Sequence, residues 1–173
     1  MPVDRSVVGK STGRRRVVIE RGPVAVFADA VKDTDTAYRD SAAAAAAGHP
    51  SIPVPPTFPF VMAHWGAFPE IQPDSGEGGA AGMSAVGEVL GPLLEKGGLL
   101  LHGEQEFEYR SPVRVGDVLV GEGRIADVYE KDSGHATMTF VVTEMTWKHD
   151  ATGEVAVVAR SNTLVRTTNP PAE

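Results

Sequence analysis

Apolar and polar residues alternate with period two in four runs of the last third of the chain: 104–110, 117–130, 136–149 and 154–166. A strand points successive side chains to opposite faces, so each run predicts a strand with two distinct faces. Gln105, Phe107 and Tyr109 share one face of the first run, and Glu104, Glu106, Glu108 and Arg110 the other. In the third run Met138, Phe140 and Val142 oppose Thr137, Thr139, Val141 and Thr143. The connections carry Pro112 and Gly116, then Asp132-Ser133-Gly134, then Asp150-Ala151-Thr152-Gly153, the turn residues of antiparallel hairpins. A short apolar run, Val17 to Ile19 within 14–20, adds an early strand. Strands this long must curve, and a curved sheet wraps around something.

The upstream half supplies the filling. Pro23 suits the first turn of a helix. Val24, Phe27, Ala28 and Val31 then fall on one helical face, and that helix should end near Lys32. Residues 33–40 are polar and turn-like. A short alanine-rich helix follows over 41–47, with Ser41 as its N-cap and Gly48 just past its end. Five prolines between His49 and Phe60 leave only an extended, semi-rigid segment. Residues 60–68 predict a helical turn or two. Residues 84–96 predict a longer helix whose apolar set is Val86, Val89, Leu90, Leu93 and Leu94. Either that helix or one opening at Thr57 could fill the sheet. Helices precede long antiparallel strands, so the fold class is α+β.

Length and composition narrow the function. The 173 residues suit one domain: a polar lead-in over 1–13, a domain over 14–166 with a flexible insertion at about 70–83, and a disordered tail over 167–173. A net charge of −7 argues against nucleic acid or an anionic membrane surface as partner. The lack of cysteine excludes disulfides, zinc–thiolate and iron–sulfur sites and cysteine nucleophiles, and is compatible with the cytoplasm. Five histidines without clustered spacing give no metal-site pattern, and no cofactor is called for.

The joined run from Leu101 to Arg110 (LHGEQEFEYR), with Ser111-Pro112-Val113 and Gly116-Asp117-Val118-Leu119, resembles the MaoC-like dehydratase superfamily. Residues 27–40 (FADAVKDTDTAYRD) and Pro55-Pro56-Thr57-Phe58 fit its FAS1-like dehydratase branch, which includes non-catalytic subunits of heterodimeric (3R)-hydroxyacyl-ACP dehydratases. The resemblance implies a hotdog fold, a curved sheet around a central helix. It also implies dehydration of a 3-hydroxyacyl thioester or the reverse hydration, with acyl-CoA or an acyl-carrier-protein thioester as ligand. It further implies a homodimer, or a heterodimer with a catalytic hotdog subunit, in which two sheets join with the acyl groove between them.

That chemistry needs a base near an α-proton, fixed donors for the enolate oxygen and a proton for the departing hydroxyl. Catalytic members of the family use an Asp-x-Asn-Pro-x-His loop. Asp33 falls at the aspartate, Thr36 at the proline and Tyr38 at the histidine. A phenol titrating near 10 is a poor base at neutral pH. The chain is therefore expected to lack the usual dyad and to shape a channel for, or stabilise, a catalytic partner. A non-enzymatic thioester-binding protein and a hotdog thioesterase are the alternatives.

Each candidate also has a purely structural role open to it. Asp33 could close its loop, and Tyr38 could pack beneath it. Pro56, Thr57 and the Phe58 amide could form a thioester cradle or a rigid linker. Trp65 could line the channel, with Phe58, Phe60 and Phe68, or belong to the core. His102, beside Gly103, could enter a pocket or bond to backbone. His49 could lie near the site, whereas His135 and His149 read as solvent residues.

Overall fold

The computed structural model describes residues 3–72 and 80–169. The strands are β1 (Ser11–Val18), β2 (Leu99–Tyr109), β3 (Val118–Asp132), β4 (Ala136–His149) and β5 (Val155–Thr168). They form one antiparallel sheet in the order β1-β3-β4-β5-β2. The helices are α1 (Arg21–Ala30), α2 (Ser41–Ala46), α3 (Met62–Trp65) and α4 (Ala80–Glu95). Among the described residues, no helix is long and apolar enough to cross a membrane.

The inward face of the sheet packs on two apolar clusters. In one, Ala85 and Leu90 of α4, with Val86, Val89 and Leu93 beside them, pack against Ile125, Val128, Val141 and Val165. In the other, Val24 and Phe27 of α1, Phe58, and Met62 of α3 meet Val17, Leu119, Trp147 and Val157. The two candidate fillings thus share the work, α4 holding one end of the sheet and the 58–65 segment with α1 the other. Burying these side chains is the main favourable term, about 1.5–3 kcal/mol for each large one.

Several boundaries differ from expectation for physical reasons. β1 starts at Ser11, and Val7 of the lead-in is buried in the α4 cluster. Asp40, one residue ahead of Ser41, caps α2: its Oδ1 accepts from the Ala43 amide at 2.8 Å. α4 begins at Ala80, inside the expected insertion, and Gly97 at φ +84° turns the chain out of it. Residues 73–79 of that insertion and 170–173 of the expected tail lie outside the described residues. Of that tail, 167–168 complete β5.

In β4 the more apolar-looking face is the outer one. Val141 and Thr139 are buried, whereas Phe140 stacks outside on Tyr129 with centroids 4.6 Å apart. Glu144 lies on that outer face too, bridged by Arg124 and Arg160 at 2.7 Å each. Burial would raise its pKa, but the two guanidinium hydrogen bonds outweigh this and hold it below the usual carboxylate range.

The two sheet edges are treated differently. Along β1, the Gln72 amide acts as a short strand: its Oε1 accepts from Arg16 N at 2.9 Å and its Nε2 donates to Arg16 O at 2.8 Å. Val18 N donates to Gly66 O at 3.0 Å. β2, at the other end of the sheet order, carries no such cover among the described residues. Its first residues, Leu99, Leu100 and Leu101, are 57%, 51% and 39% exposed.

Candidate functional site

The loop after α1 gathers the two residues at the dyad positions. Two residues past the end of α1, Lys32 lies in the left-handed region at φ +59°, an uncommon conformation for a residue with a side chain. Asp33 Oδ1 accepts from the Asp35 amide at 3.0 Å, and Asp35 Oδ1 from the Ala37 amide at 2.9 Å. Arg39 binds the loop from within, donating to Asp29 Oδ1 at 2.6 Å and to the carbonyls of Asp33 and Asp35. Short acidic side chains satisfy loop amides in this way routinely. Among the described residues, the one histidine within 4.0 Å of a carboxylate is His149, beside Asp117 rather than Asp33.

Two phenols lie near this loop. Burial, then the negative charges of Asp33 and Asp35, push the Tyr38 pKa up. Burial, then Tyr38, push the Tyr109 pKa far up. Tyr109 Oη donates to Pro56 O at 2.9 Å, which ties β2 to the proline-rich segment. Both phenols stay protonated at neutral pH and so are not bases there.

Further along the inward face of β2 lies a cleft of 350 Å³ lined by Phe27, Thr57, Phe60, His102, Gln105 and Phe107. Thr57, Phe60 and His102 among the predicted residues line it directly. Trp65 stands behind Phe27, their centroids 6.1 Å apart and edge-to-face. Phe58 is buried beneath, edge-to-face with Phe27 at 5.5 Å, and its amide donates to Pro55 O at 2.9 Å. Its side chain therefore holds the floor, and that amide already has an acceptor. Pro56 is exposed and offers its carbonyl to Tyr109. Phe60, more than half exposed, meets the His102 ring edge-to-face at 5.4 Å.

Gly103 sits where β2 slips against β5: His102 faces Thr163, yet Glu104 faces Asn162. The strand has one extra residue there, a bulge. Sequence reasoning did not name Phe27 or Phe107 for the cleft, nor Gln105. Its alternation with Phe107 and Tyr109 gave its face, but the slip that brings His102 to the same face leaves no mark in composition.

Two histidines differ from or stand apart from the site. His149 is not a solvent residue: Nε2 lies 3.0 Å from Ser111 Oγ, Nδ1 lies 4.0 Å from Asp117 Oδ2, and the side chain is 19% exposed. It clasps the β2–β3 connection to the end of β4. His49, at the end of α2, donates its amide to Ala44 O and is not among the residues lining the cleft.

Comparison with known proteins supports the same picture. Residues 6–158 match the model of the FAS1-like, dehydratase domain region. A UPF0336 protein of Streptomyces coelicolor is 31% identical over 167 residues, covering 96% of this chain and 97% of the relative. In fold, the chain is similar to a chain of the ChsH1–ChsH2 complex of Mycobacterium tuberculosis, with a TM-score of 0.71 at 18% identity, covering 94% and 87% of the two chains. It is also similar to a chain of the HadBC (3R-hydroxyacyl-ACP dehydratase) complex of that organism, with a TM-score of 0.63 at 22% identity over 92% and 97%. The chain belongs to the FAS1-like dehydratase family and has the hotdog fold of the MaoC-like dehydratases.

Proposed function

We propose that this chain is the substrate-binding subunit of a MaoC-like (R)-3-hydroxyacyl-thioester dehydratase or hydratase. Its partner is a second hotdog chain that carries the catalytic aspartate and histidine. The observation that carries this reading is the placement of an apolar cleft on the inward face of β2, the strand whose outer edge is open. A chain docked along β2 would close the cleft and bring its own side chains to it. The HadBC and ChsH1–ChsH2 neighbours are complexes of two chains, which fits a paired assembly.

The residues divide the chemistry accordingly. Loss of water from a 3-hydroxyacyl thioester needs a base for the α-proton, and the partner's imidazole supplies it. Asp33 holds its own loop through Asp35, and the raised phenols cannot take a proton at neutral pH. The Thr57 hydroxyl at the cleft offers a neutral donor to the thioester. Phe27, Phe60 and Phe107 enclose the acyl chain and exclude water.

Crotonyl-CoA hydration tests the assignment. The purified chain alone is expected at background. Co-expression with a hotdog chain that holds an intact Asp-x-Asn-Pro-x-His loop should raise the rate by about a hundredfold or more, the usual scale of general acid–base catalysis. Full activity of the chain alone would overturn the reading. Release of free CoA without hydration would point instead to thioester hydrolysis.

A further inference from the structure

Residues three apart on a regular strand point to opposite faces. His102 and Gln105 nevertheless line the same cleft, because the bulge at Gly103 shifts the phase between them. A bulge of this kind re-aims a side chain, and bulges concentrate beside active sites. Glycine suits the position: a Cβ there would lie 3.0 Å from Leu164 Cδ2 and 3.2 Å from Asn162 O.

The bulge thus lets His102 and Gln105 share a cleft with the aromatic rings of Phe27, Phe60 and Phe107. The Gln105 Oε1 atom is buried and accepts no hydrogen bond among the described residues. It stands opposite Ser161 in register, and Ser161 stands opposite Thr143. These polar positions fall between the β5 members of the two apolar clusters, Val157 on one side and Val165 on the other. A buried acceptor without a donor destabilises the free protein and is a feature that calls for an explanation.

We propose that Gln105 determines specificity in this cleft: its side-chain amide turns on binding, so that the oxygen, enclosed in the free protein, accepts a hydrogen bond from an O–H or N–H group of the bound acyl thioester. This rests on the thioester-binding function proposed above. Two parts of such a ligand carry donors: a hydroxyl on the acyl chain and the amide N–H groups of the pantetheine arm. A saturated hydrocarbon carries none. A site built to hydrogen-bond its ligand rejects an analogue that leaves its polar group unpaired.

Titrations of the full chain with butyryl-CoA and (R)-3-hydroxybutyryl-CoA test this in the wild type, Gln105→Leu and Gln105→Glu. Gln105→Leu should weaken binding by about tenfold or more. Gln105→Glu, which keeps an acceptor in the same place, should stay within about threefold of wild type. Loss for the hydroxylated probe alone assigns the donor to the acyl hydroxyl; equal loss for both assigns it to the pantetheine amides. The ligand-free Gln105→Leu protein should melt about 2–4 °C higher than wild type, since it removes the unpaired oxygen. A merely structural glutamine would melt lower on replacement. The proposal fails if Gln105→Leu binds both probes as wild type does, if Gln105→Glu falls as far as Gln105→Leu, or if the leucine variant melts lower. Wild-type protein that binds neither probe overturns the thioester assignment as well.

Discussion

Replacing Leu99 and Leu101 together by lysine is expected to abolish pairing of the chain with a partner while leaving its own fold intact. Both side chains already face solvent in the single chain, 57% and 39% exposed, so lysine there costs little folding energy. The same positions lie on the open edge of β2, where docking would bury them. Bringing two ammonium groups into an apolar interface should weaken association by about a hundredfold or more. Sedimentation of the wild-type and double-lysine proteins, each co-expressed with its partner, reads the effect directly. Unchanged association would remove β2 from the interface. The opposite edge gives a natural comparison, because Gln72 and Gly66 already occupy the hydrogen-bonding groups of Arg16 and Val18 on β1. Among the described residues one edge is covered and the other is left available, the asymmetry expected of a sheet that associates on one side only.

The largest expected loss of stability follows Trp147→Ala. Trp147 is 2% exposed and sits within the cluster that joins α1, the 58–62 segment and the sheet. Its register partner is Gly121, whose lack of a side chain makes room for the indole: a Cβ there would lie 2.7 Å from the ring. Truncating a buried tryptophan costs about 3–5 kcal/mol. Against a total of about 5–15 kcal/mol this is a large fraction. A thermal melt followed by circular dichroism should drop by about 10 °C or more. A shift of about 2 °C or less would show that the indole does not anchor this end of the sheet.

The sheet was legible in the sequence because its strands alternate cleanly. Gln105, Phe107 and Tyr109 were assigned to one face by period alone, and Phe107 and Gln105 do line the inward cleft. Glu104 and Glu106 were assigned to the solvent side, where they meet Asn162 and Arg160. The start of β2 was read five residues late. Three successive leucines show no alternation, because on an open edge strand they are exposed on both faces. The cap of α2 was misplaced by one residue, since an aspartate beside a serine offers the same oxygen chemistry.

The candidate site was legible in part. Thr57, Phe60 and His102 reach the cleft, but the Gly103 bulge that gives His102 its direction depends on how two strands pair. The clasp from His149 to Ser111 likewise joins residues 38 positions apart. Asp33 and Tyr38 were singled out by matching their loop to the family's Asp-x-Asn-Pro-x-His pattern. What the match could not give is that the Asp33 carboxylate turns to its own loop amide, and that burial and nearby carboxylates push the Tyr38 pKa further up.

The central claim, that this chain shapes the site while another supplies the base, is tested most directly by an Asp33→Asn, Tyr38→Phe double variant assembled with its partner. Crotonyl-CoA hydration should stay within about threefold of the wild-type pair, because neither side chain moves the α-proton. A fall of about a hundredfold or more, with the assembly intact, would place the proton transfer in this chain and contradict the account.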